Sequence, residues 1–408
     1  MSTAAPAADR SAQPRAGRLV GLDVARCVAL LGMVATHVVA ERDLDGSLTA
    51  AHWVAGGRAS ALFAVLAGVT LALGTGGTAP VRGRERVARS YGFVVRAVVL
   101  AGLGLLLGAA GSGLAVILTY YGVLFVLGLP FVGLRARWLW LAAAVWCVAA
   151  PVVSQVVRPA LPERGFTSPE PTSLAEPARL VSELLLTGYY PAVPWLTYLL
   201  VGLAIGRCDL RRLDVAASLA VAGGVLAVAA TAVSRLLTER ADVVSRLLVD
   251  VPAPDGEALL DRLAGGTGGT TPTGGSWAWL LTVAPHSATP FDLAQTAGSA
   301  MLVVGACLLV TLRLPAATSR AVEVGFGAGR MSLSLYTLHV VLRTPDVWPP
   351  DDHLAPHVLV LLLIGAGFAA AGRRGPLEAA VTAVSRAAER SVRGPAPGPG
   401  PGPDQSPR

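Results

Sequence analysis

The sequence predicts an all-α polytopic membrane protein with about ten transmembrane helices and with the N and C termini cytoplasmic. Hydrophobic residues make up 53% of the 408 residues and charged residues 14%, whereas a soluble domain typically has about 25% charged residues. Apolar stretches long enough to cross a bilayer recur along the chain. Arginines gather in every second connection between these stretches. This composition excludes an ordinary soluble enzyme and, because Leu, Val and Ala are abundant, a disordered chain.

Ten stretches qualify as transmembrane helices by their length and apolar character. They run from Leu19 to Ala40, Ala59 to Gly76, Phe93 to Ala110, Gly113 to Leu134, Trp138 to Val157, Tyr189 to Gly206, Leu213 to Leu236, Gln295 to Leu312, Val322 to Val341 and His357 to Ala371. The first is not expected to be a cleaved signal peptide, because its apolar part is too long and no small-residue cleavage site follows it.

The arginines give an independent indication of topology. They precede the first span and follow spans two, four, six, eight and ten, at Arg10, Arg15, Arg18, Arg82, Arg84, Arg86, Arg89, Arg135, Arg137, Arg207, Arg211, Arg212, Arg313, Arg320, Arg373 and Arg374. Positive charge marks the cytoplasmic side of membrane proteins. In so apolar a chain, we expect the net charge of +7 to face anionic lipid and not nucleic acid.

We divide the chain into an N-terminal cytoplasmic tail (1–17), a transmembrane domain (18–373) and a cytoplasmic tail (374–408) that is disordered from about residue 394. The longest extracytoplasmic loop is predicted at 237–294. It contains an amphipathic piece from Arg240 to Leu248 and then a glycine- and threonine-rich tract that reads as a flexible connector. Residues 158–188 contain a predicted interfacial helix from Thr172 to Leu186.

The first span carries its polar residues on one stripe. Arg26 and His37 are only about 20° out of alignment on a helix, and Asp23 can pair with Arg26 on the next turn. Asp23 lies about 21 Å below His37 along the helix axis. Charges inside a membrane usually face a cavity or a partner, so we expect an ion pair near the cytoplasmic side and an imidazole towards the outer side. A structural ion pair with an interfacial histidine remains the alternative.

The ninth span has a second polar stripe. Ser332, Tyr336 and His339 share one face of the predicted helix, and Arg330 begins it on the cytoplasmic side. His339 is expected at a depth similar to that of His37. This stripe is therefore a candidate for the opposite wall of one cavity, and a histidine bonded to a backbone carbonyl is the alternative.

Other candidate residues lie at the ends of spans or interrupt them. Arg58 and His52 stand at the outer mouth of the second span, Tyr121 interrupts the fourth, and Trp195 follows Pro194 in the sixth. Snorkelling, solvation and interfacial aromatic packing are the alternative explanations. The remaining histidines, His286, His353 and His357, are expected to be solvated. No His or carboxylate pattern has zinc-ligand spacing, so no metal is predicted.

The first span, GLDVARCVALLGMVATH, resembles the membrane acyltransferase-3 superfamily, most closely its bacterial branch related to heparan-α-glucosaminide N-acetyltransferase. GGRASALFAVLAGVTLAL, YYPAVPWLTYLLVGLAIGR and GRMSLSLYTLHVV resemble that branch's second, proline-tryptophan and tyrosine-histidine spans. The resemblance extends to about Arg373. Cys27 departs from the small residue usual after the arginine, and the 237–294 insertion does not align, so the acceptor stays unassigned.

The resemblance implies a multi-pass acyltransferase of the bacterial cytoplasmic (inner) membrane. It would move an acetyl or short acyl group from cytoplasmic acetyl-CoA, or another acyl-CoA, to an amine or hydroxyl of a sugar, glycan or small molecule at the outer face. Acyl transfer needs a base, and histidine suits this role near neutral pH. We favour His37 as the base, with Asp23 and Arg26 in the catalytic group, while His52 remains the alternative base.

Coenzyme A phosphates are expected to bind guanidinium groups. The predicted cofactor-binding residues are Arg26 and Arg330. The predicted substrate-binding residues are Arg58, His52, Tyr121, Trp195, Ser332, Tyr336 and His339. N- versus O-acylation, acyl length, an acyl-histidine intermediate and a homodimer stay open.

A transporter or exporter of a small molecule is the alternative function, because intramembrane Asp, Arg and His also serve proton coupling. Transporters often have repeated halves with interrupted helices, and we find no such repeat in the sequence.

Overall fold

The structure is a computed structural model that describes residues 18–165, 168–345, 347 and 353–393. Over these residues the chain is helical, and one isolated bridge between Arg42 and Leu48 is its sole β pairing. The all-α prediction is therefore confirmed. The predicted tail 1–17 and the predicted disorder from about residue 394 lie outside the described residues.

The helices follow one another through short connections. In chain order they are α1 (Val20–Val38), α2 (Ala50–Ala55), α3 (Arg58–Gly74), α4 (Gly83–Gly108), α5 (Leu118–Gly128), α6 (Ala136–Val157), α7 (Pro177–Ser182), α8 (Ala192–Gly206), α9 (Leu213–Thr238), α10 (Ala241–Asp250), α11 (Gly256–Gly265), α12 (Pro290–Thr311), α13 (Ala316–Gly325), α14 (Ser332–Leu342), α15 (Leu354–Ala370) and α16 (Pro376–Arg393). Single turns of 3₁₀-helix occur at Leu129–Gly133, Arg158–Ala160, Pro171–Ala175, Trp277–Leu281 and Gly327–Arg330, and a π-helical turn at Glu183–Thr187.

Six helical segments of the described chain are long and apolar enough to cross a membrane. A pair of helices bent by 49°, Pro177–Thr187 and Ala192–Gly206, makes a seventh if it is one span. Three further apolar helices are shorter: Leu118–Gly133, Ser332–Leu342 and Leu354–Ala370. By length and composition, the chain is thus a multi-pass membrane protein.

Two predicted helices are broken in the structure. The ninth predicted span ends as α13 at Gly325 and resumes as α14 after a 3₁₀ turn, because three glycines weaken the helix there. Close packing also requires Gly329, since a Cβ would lie 2.8 Å from the Asp23 carbonyl carbon and closer still to its oxygen. The predicted interfacial helix from Thr172 to Leu186 divides at Pro177, which disfavours helical backbone in the residue before it.

The core of the bundle lies around α8, whose residues are almost all buried. It crosses α3 at two glycines. A Cβ on Gly202 would lie 2.9 Å from the Gly68 Cα and closer still to the Val65 carbonyl oxygen. The two backbones can approach so closely only because neither position has a side chain.

The insertion 237–294 has a small core of its own. Two helices, α10 and α11, pack with the turn Trp277–Leu281, and the buried residues are Val243, Leu247, Leu259, Leu263, Ala278, Trp279 and Ala284. The predicted amphipathic helix corresponds to α10. The glycine- and threonine-rich tract was expected to be a flexible connector, but hydrogen bonds hold it in place. Buried Arg158 donates to Thr271 O (2.6 Å) and Thr271 Oγ1 (2.7 Å).

The helix α16 was missed by the sequence analysis, which assigned residues 374–408 to a tail. Its Glu378 carboxylate accepts hydrogen bonds from the backbone N–H groups of Leu333 (2.7 Å) and Ser334 (3.2 Å) at the start of α14. Near its other end, Arg393 pairs with Glu85 of α4 at 2.7 Å. The amphipathic helix α16 therefore links α4 and α14 through these polar contacts.

The glycine crossing leads to a prediction for stability. Gly202→Ala should destabilise the protein by about 1–3 kcal/mol, because the added methyl meets backbone that cannot move aside. Thermal unfolding in detergent would measure the loss. The matched control is Gly102→Ala, where a Cβ meets nothing within 4 Å and alanine should be neutral or stabilising. Equal melting temperatures for the two variants would contradict the crossing.

Candidate active site

A cavity of about 580 Å³ is lined by three histidines from different parts of the chain: His37 of α1, His52 of α2 and His286 of the insertion. We call it the histidine cavity. Tyr120, Tyr189 and Tyr190 also line it, together with several glycines and serines. The sequence indicates His37 and His52 as candidates, but it does not predict that His286 and these tyrosines lie beside them.

His37 pairs with His339 of α14. The Nδ1 of His37 lies 3.1 Å from the Nε2 of His339, and the two rings stack with centroids 5.3 Å apart and planes 6° from parallel. His339 is fully buried. One ring must donate the hydrogen to the other. When His37 donates, its own Nε2 carries a lone pair; when His339 donates, the Nε2 of His37 carries a hydrogen.

The tautomer of His52 follows from its neighbour Thr49. The Thr49 hydroxyl donates its single hydrogen to a backbone carbonyl, Ala40 O at 2.8 Å. Its oxygen can therefore only accept from the Nδ1 of His52, 3.3 Å away. Neutral His52 then has its hydrogen on Nδ1 and a lone pair on Nε2, which is the protonation state that a general base needs.

His286 corrects an expectation from the sequence. It was expected to be solvated, but its ring lies among Tyr189, Tyr190 and Trp195, with centroid distances of 5.0, 5.7 and 6.4 Å. Burial lowers the pKa of His286 to about 4, so the imidazole is neutral at pH 7. His357, also expected to be solvated, is 1% exposed and packs edge-on against His339. His353 is exposed, as expected.

A second, smaller cavity of about 100 Å³ lies farther along α1 and contains Arg26 and Arg96. We call it the arginine cavity. Tyr121, Ser332 and Tyr336 line it, so these three predicted residues are brought together there and not in the histidine cavity. Met33 lines both cavities, so the two are adjacent at this residue.

Arg96 was missed, although the signal was present. It is a charge inside the predicted span Phe93 to Ala110, and such charges usually mark a cavity or a partner. Its guanidinium lies 5.9 Å from the centroid of the Phe125 ring. Arg26, in the same cavity, donates to Asp23 (3.0 Å) and to Thr70 Oγ1 (3.0 Å).

Asp23 and Arg330 line neither cavity. Asp23 is 3% exposed and is held between Arg18 and Arg26. Since its separation from His37 is about 21 Å along the helix, it cannot contact a group that His37 contacts. Arg330 forms an ion pair with Glu323 at 2.8 Å. The structure thus separates the predicted catalytic group into two sites on one helix.

Arg58 and Trp195 also lie outside the histidine cavity. Arg58 donates to the Trp53 carbonyl at 2.6 Å and faces a third cavity of about 780 Å³, whose wall includes His52 and residues of the insertion. Trp195 is 3% exposed and lies behind His286, with the two ring planes 9° from parallel. It supports the cavity wall without reaching the surface of the cavity.

The histidine cavity offers hydrogen-bonding groups with little charge. Glu41 and Arg164 are its charged side chains among the described residues, and no group of three or more His, Cys, Asp or Glu there is placed to hold a metal ion. Lone pairs on neutral imidazoles can accept a proton, and the hydroxyl and backbone N–H groups can donate hydrogen bonds. Such a site suits proton transfer to and from a neutral reactant.

Residues 18–235 match the family model for the catalytic domain of heparan-α-glucosaminide N-acetyltransferase. No curated protein matches the chain significantly. The matched segment contains Asp23, Arg26, His37 and His52, whereas His286 and His339 follow it. Because the match spans more than half of the 408 residues, this chain belongs to the heparan-α-glucosaminide N-acetyltransferase family.

Proposed function

We propose that this membrane acetyltransferase moves an acetyl or short acyl group from cytoplasmic acyl-CoA to an amine or hydroxyl of a sugar, glycan or small-molecule acceptor in the histidine cavity. The observation that carries the proposal is the pair of cavities that share Met33 in their walls, one lined by Arg26 and Arg96 and the other by three histidines. The family supplies the reaction class. It gives no support to the alternative of a small-molecule exporter.

The proposed reaction needs one base and one proton donor. The acceptor nitrogen or oxygen attacks the thioester carbonyl, the base removes its proton, and the thiolate leaves and takes a proton. Donors to the developing oxyanion lower the barrier further. Two histidines are candidates for the base: His37, which His339 would orient, and His52, whose lone pair is fixed by Thr49. The sequence prediction of His37 stays a prediction beside the new argument for His52.

The proposed donor site is the arginine cavity. Guanidinium groups bind phosphates by bidentate, charge-assisted hydrogen bonds, and Arg26 and Arg96 both line this cavity. The thioester end of the donor would then pass Met33 to meet the acceptor. Arg330, the other predicted cofactor residue, would have to release Glu323 before it could contact a phosphate.

We further propose the topology expected from the arginines: ten spans in the cytoplasmic (inner) membrane of a bacterium, with both termini cytoplasmic. The support is that the six long segments, the bent pair and the three shorter apolar helices coincide in position with the ten predicted stretches. Positive charge in alternate connections agrees with this arrangement.

Reporter fusions test the topology. Alkaline phosphatase, which is active only outside the cytoplasm, should be active when fused after Asp45 or Asp250 and inactive when fused after Arg84 or Arg212. The reason is that the first two residues follow odd-numbered spans and the other two follow even-numbered spans. Similar activity on both sides of any one span would contradict the ten-span topology.

Substitution of His37 and His52 tests which of the two histidines acts as the general base. In proteoliposomes with labelled acetyl-CoA, replacing the base by alanine should reduce acetyl transfer about 100-fold or more, because general-base catalysis contributes about 10²–10⁴-fold. His37→Ala and His52→Ala are compared by initial rate, with His353→Ala as the control outside the cavity. The larger loss identifies the base. Normal transfer in both variants would refute a histidine base, and substrate flux without release of coenzyme A would indicate a transporter.

The donor site is tested through KM. Arg26→Gln should raise the KM for acetyl-CoA about tenfold or more and change the KM for the acceptor little, because a lost hydrogen bond to a charged group costs about 1.5–3 kcal/mol. Arg84→Gln, whose side chain is exposed on α4, is the matched control. Equal increases in both KM values would contradict a role in donor binding.

A further inference from the structure

The backbone at His286 adopts a conformation that L-residues rarely take. The φ angle is 56° at His286 and 53° at Ala288, in the left-handed region that non-glycine residues seldom occupy. Hydrogen bonds hold this loop in place: Thr267 N donates to Pro285 O (3.0 Å), and Gly269 N donates to His286 O (2.7 Å). Such conformations persist where surrounding contacts enforce them, and they cluster at binding sites.

The side chain that this loop presents has no polar partner. Neither ring nitrogen of His286 forms a hydrogen bond with any described residue; Nδ1 is inaccessible to solvent, so Nε2 is the nitrogen that can reach a ligand in the cavity. An imidazole at the wall of a cavity with an accessible, unpaired Nε2 can form a hydrogen bond to a ligand there. The neighbouring rings of Tyr189 and Tyr190 fix its orientation.

The surroundings indicate the chemistry of that ligand. The insertion also contributes Gly265 and Pro285 to the cavity, and Ser112 and Ser168 add hydroxyl groups. Apart from Glu41 and Arg164, the cavity wall has neutral donors and acceptors beside aromatic rings. These suit a polyhydroxylated molecule, whose hydroxyls form hydrogen bonds while its carbon face packs on the rings.

We propose that His286 is an acceptor-binding residue, which accepts or donates a hydrogen bond to a hydroxyl of a polyhydroxylated acceptor held against Tyr189 and Tyr190. This inference rests on the proposed function. Because His286 lies beyond the matched residues 18–235, the insertion supplies a part of acceptor recognition that the matched segment does not contain.

The test compares two acceptors and two variants of the full-length protein. His286→Asn removes the imidazole but keeps a residue that tolerates positive φ. Ala288→Gly relaxes the other positive φ and leaves the ring in place, so it controls for changes in the loop. D-glucosamine is the hydroxylated probe, and ethanolamine is an amine without the hydroxylated ring.

We expect His286→Asn to weaken equilibrium binding of D-glucosamine about tenfold and to lower kcat/KM for D-glucosamine relative to ethanolamine by a similar factor. The KM of His286→Asn for acetyl-CoA should match that of the wild type. For Ala288→Gly, both the binding of D-glucosamine and the ratio of kcat/KM for D-glucosamine to that for ethanolamine should match those of the wild type. Equal D-glucosamine binding in wild type and His286→Asn, or no saturable binding to the wild type, overturns the inference. A wild type that binds D-glucosamine and releases no coenzyme A would refute the proposed function instead.

Discussion

The hydrogen bond between His37 and His339 is the contact on which the geometry of the histidine cavity depends. It joins two histidines that are 302 residues apart in sequence, and it does so where the ring of His339 has no access to solvent. The 3₁₀ turn that precedes α14 contacts α1 at a second point, where the backbone of Gly329 meets that of Asp23. The His37–His339 contact and the Gly329–Asp23 contact together position α14 and the turn before it against α1.

The separation of charge along α1 follows from this arrangement. Guanidinium groups gather in the arginine cavity, where Asp23 and the Phe125 ring offset their cost of burial. The histidine cavity, in contrast, is lined mainly by rings, hydroxyls and backbone, with Glu41 and Arg164 as its charged side chains among the described residues. Met33 lines both cavities, and its flexible thioether side chain can adapt to the contents of either.

Sequence reasoning was successful where a periodic signal was strong. Helical periodicity placed Asp23 beside Arg26 and put His37 and His339 at a similar depth, because the spacing on one helix fixes both angle and rise. Sequence reasoning failed for His286, because its position depends on a loop with positive φ angles that no sequence pattern predicts. It missed α16 because residues 374–408 were assigned as a whole to a cytoplasmic tail, although Pro376–Arg393 has an amphipathic helical pattern. Arg96 needed no new principle, only the same rule that selected Arg26.

The cap on α14 has a consequence for biosynthesis. The backbone N–H groups of Leu333 and Ser334 receive their carboxylate acceptor from Glu378, which is 45 residues later than Leu333 in the chain. During translation, α14 therefore leaves the ribosome with its first turn uncapped. The first turn of α14 is capped only after α15 and the start of α16, which contains Glu378, have been synthesised. A ribosome that stalls in between would leave a nascent chain that contains every cavity histidine but not the carboxylate that caps the helix of His339.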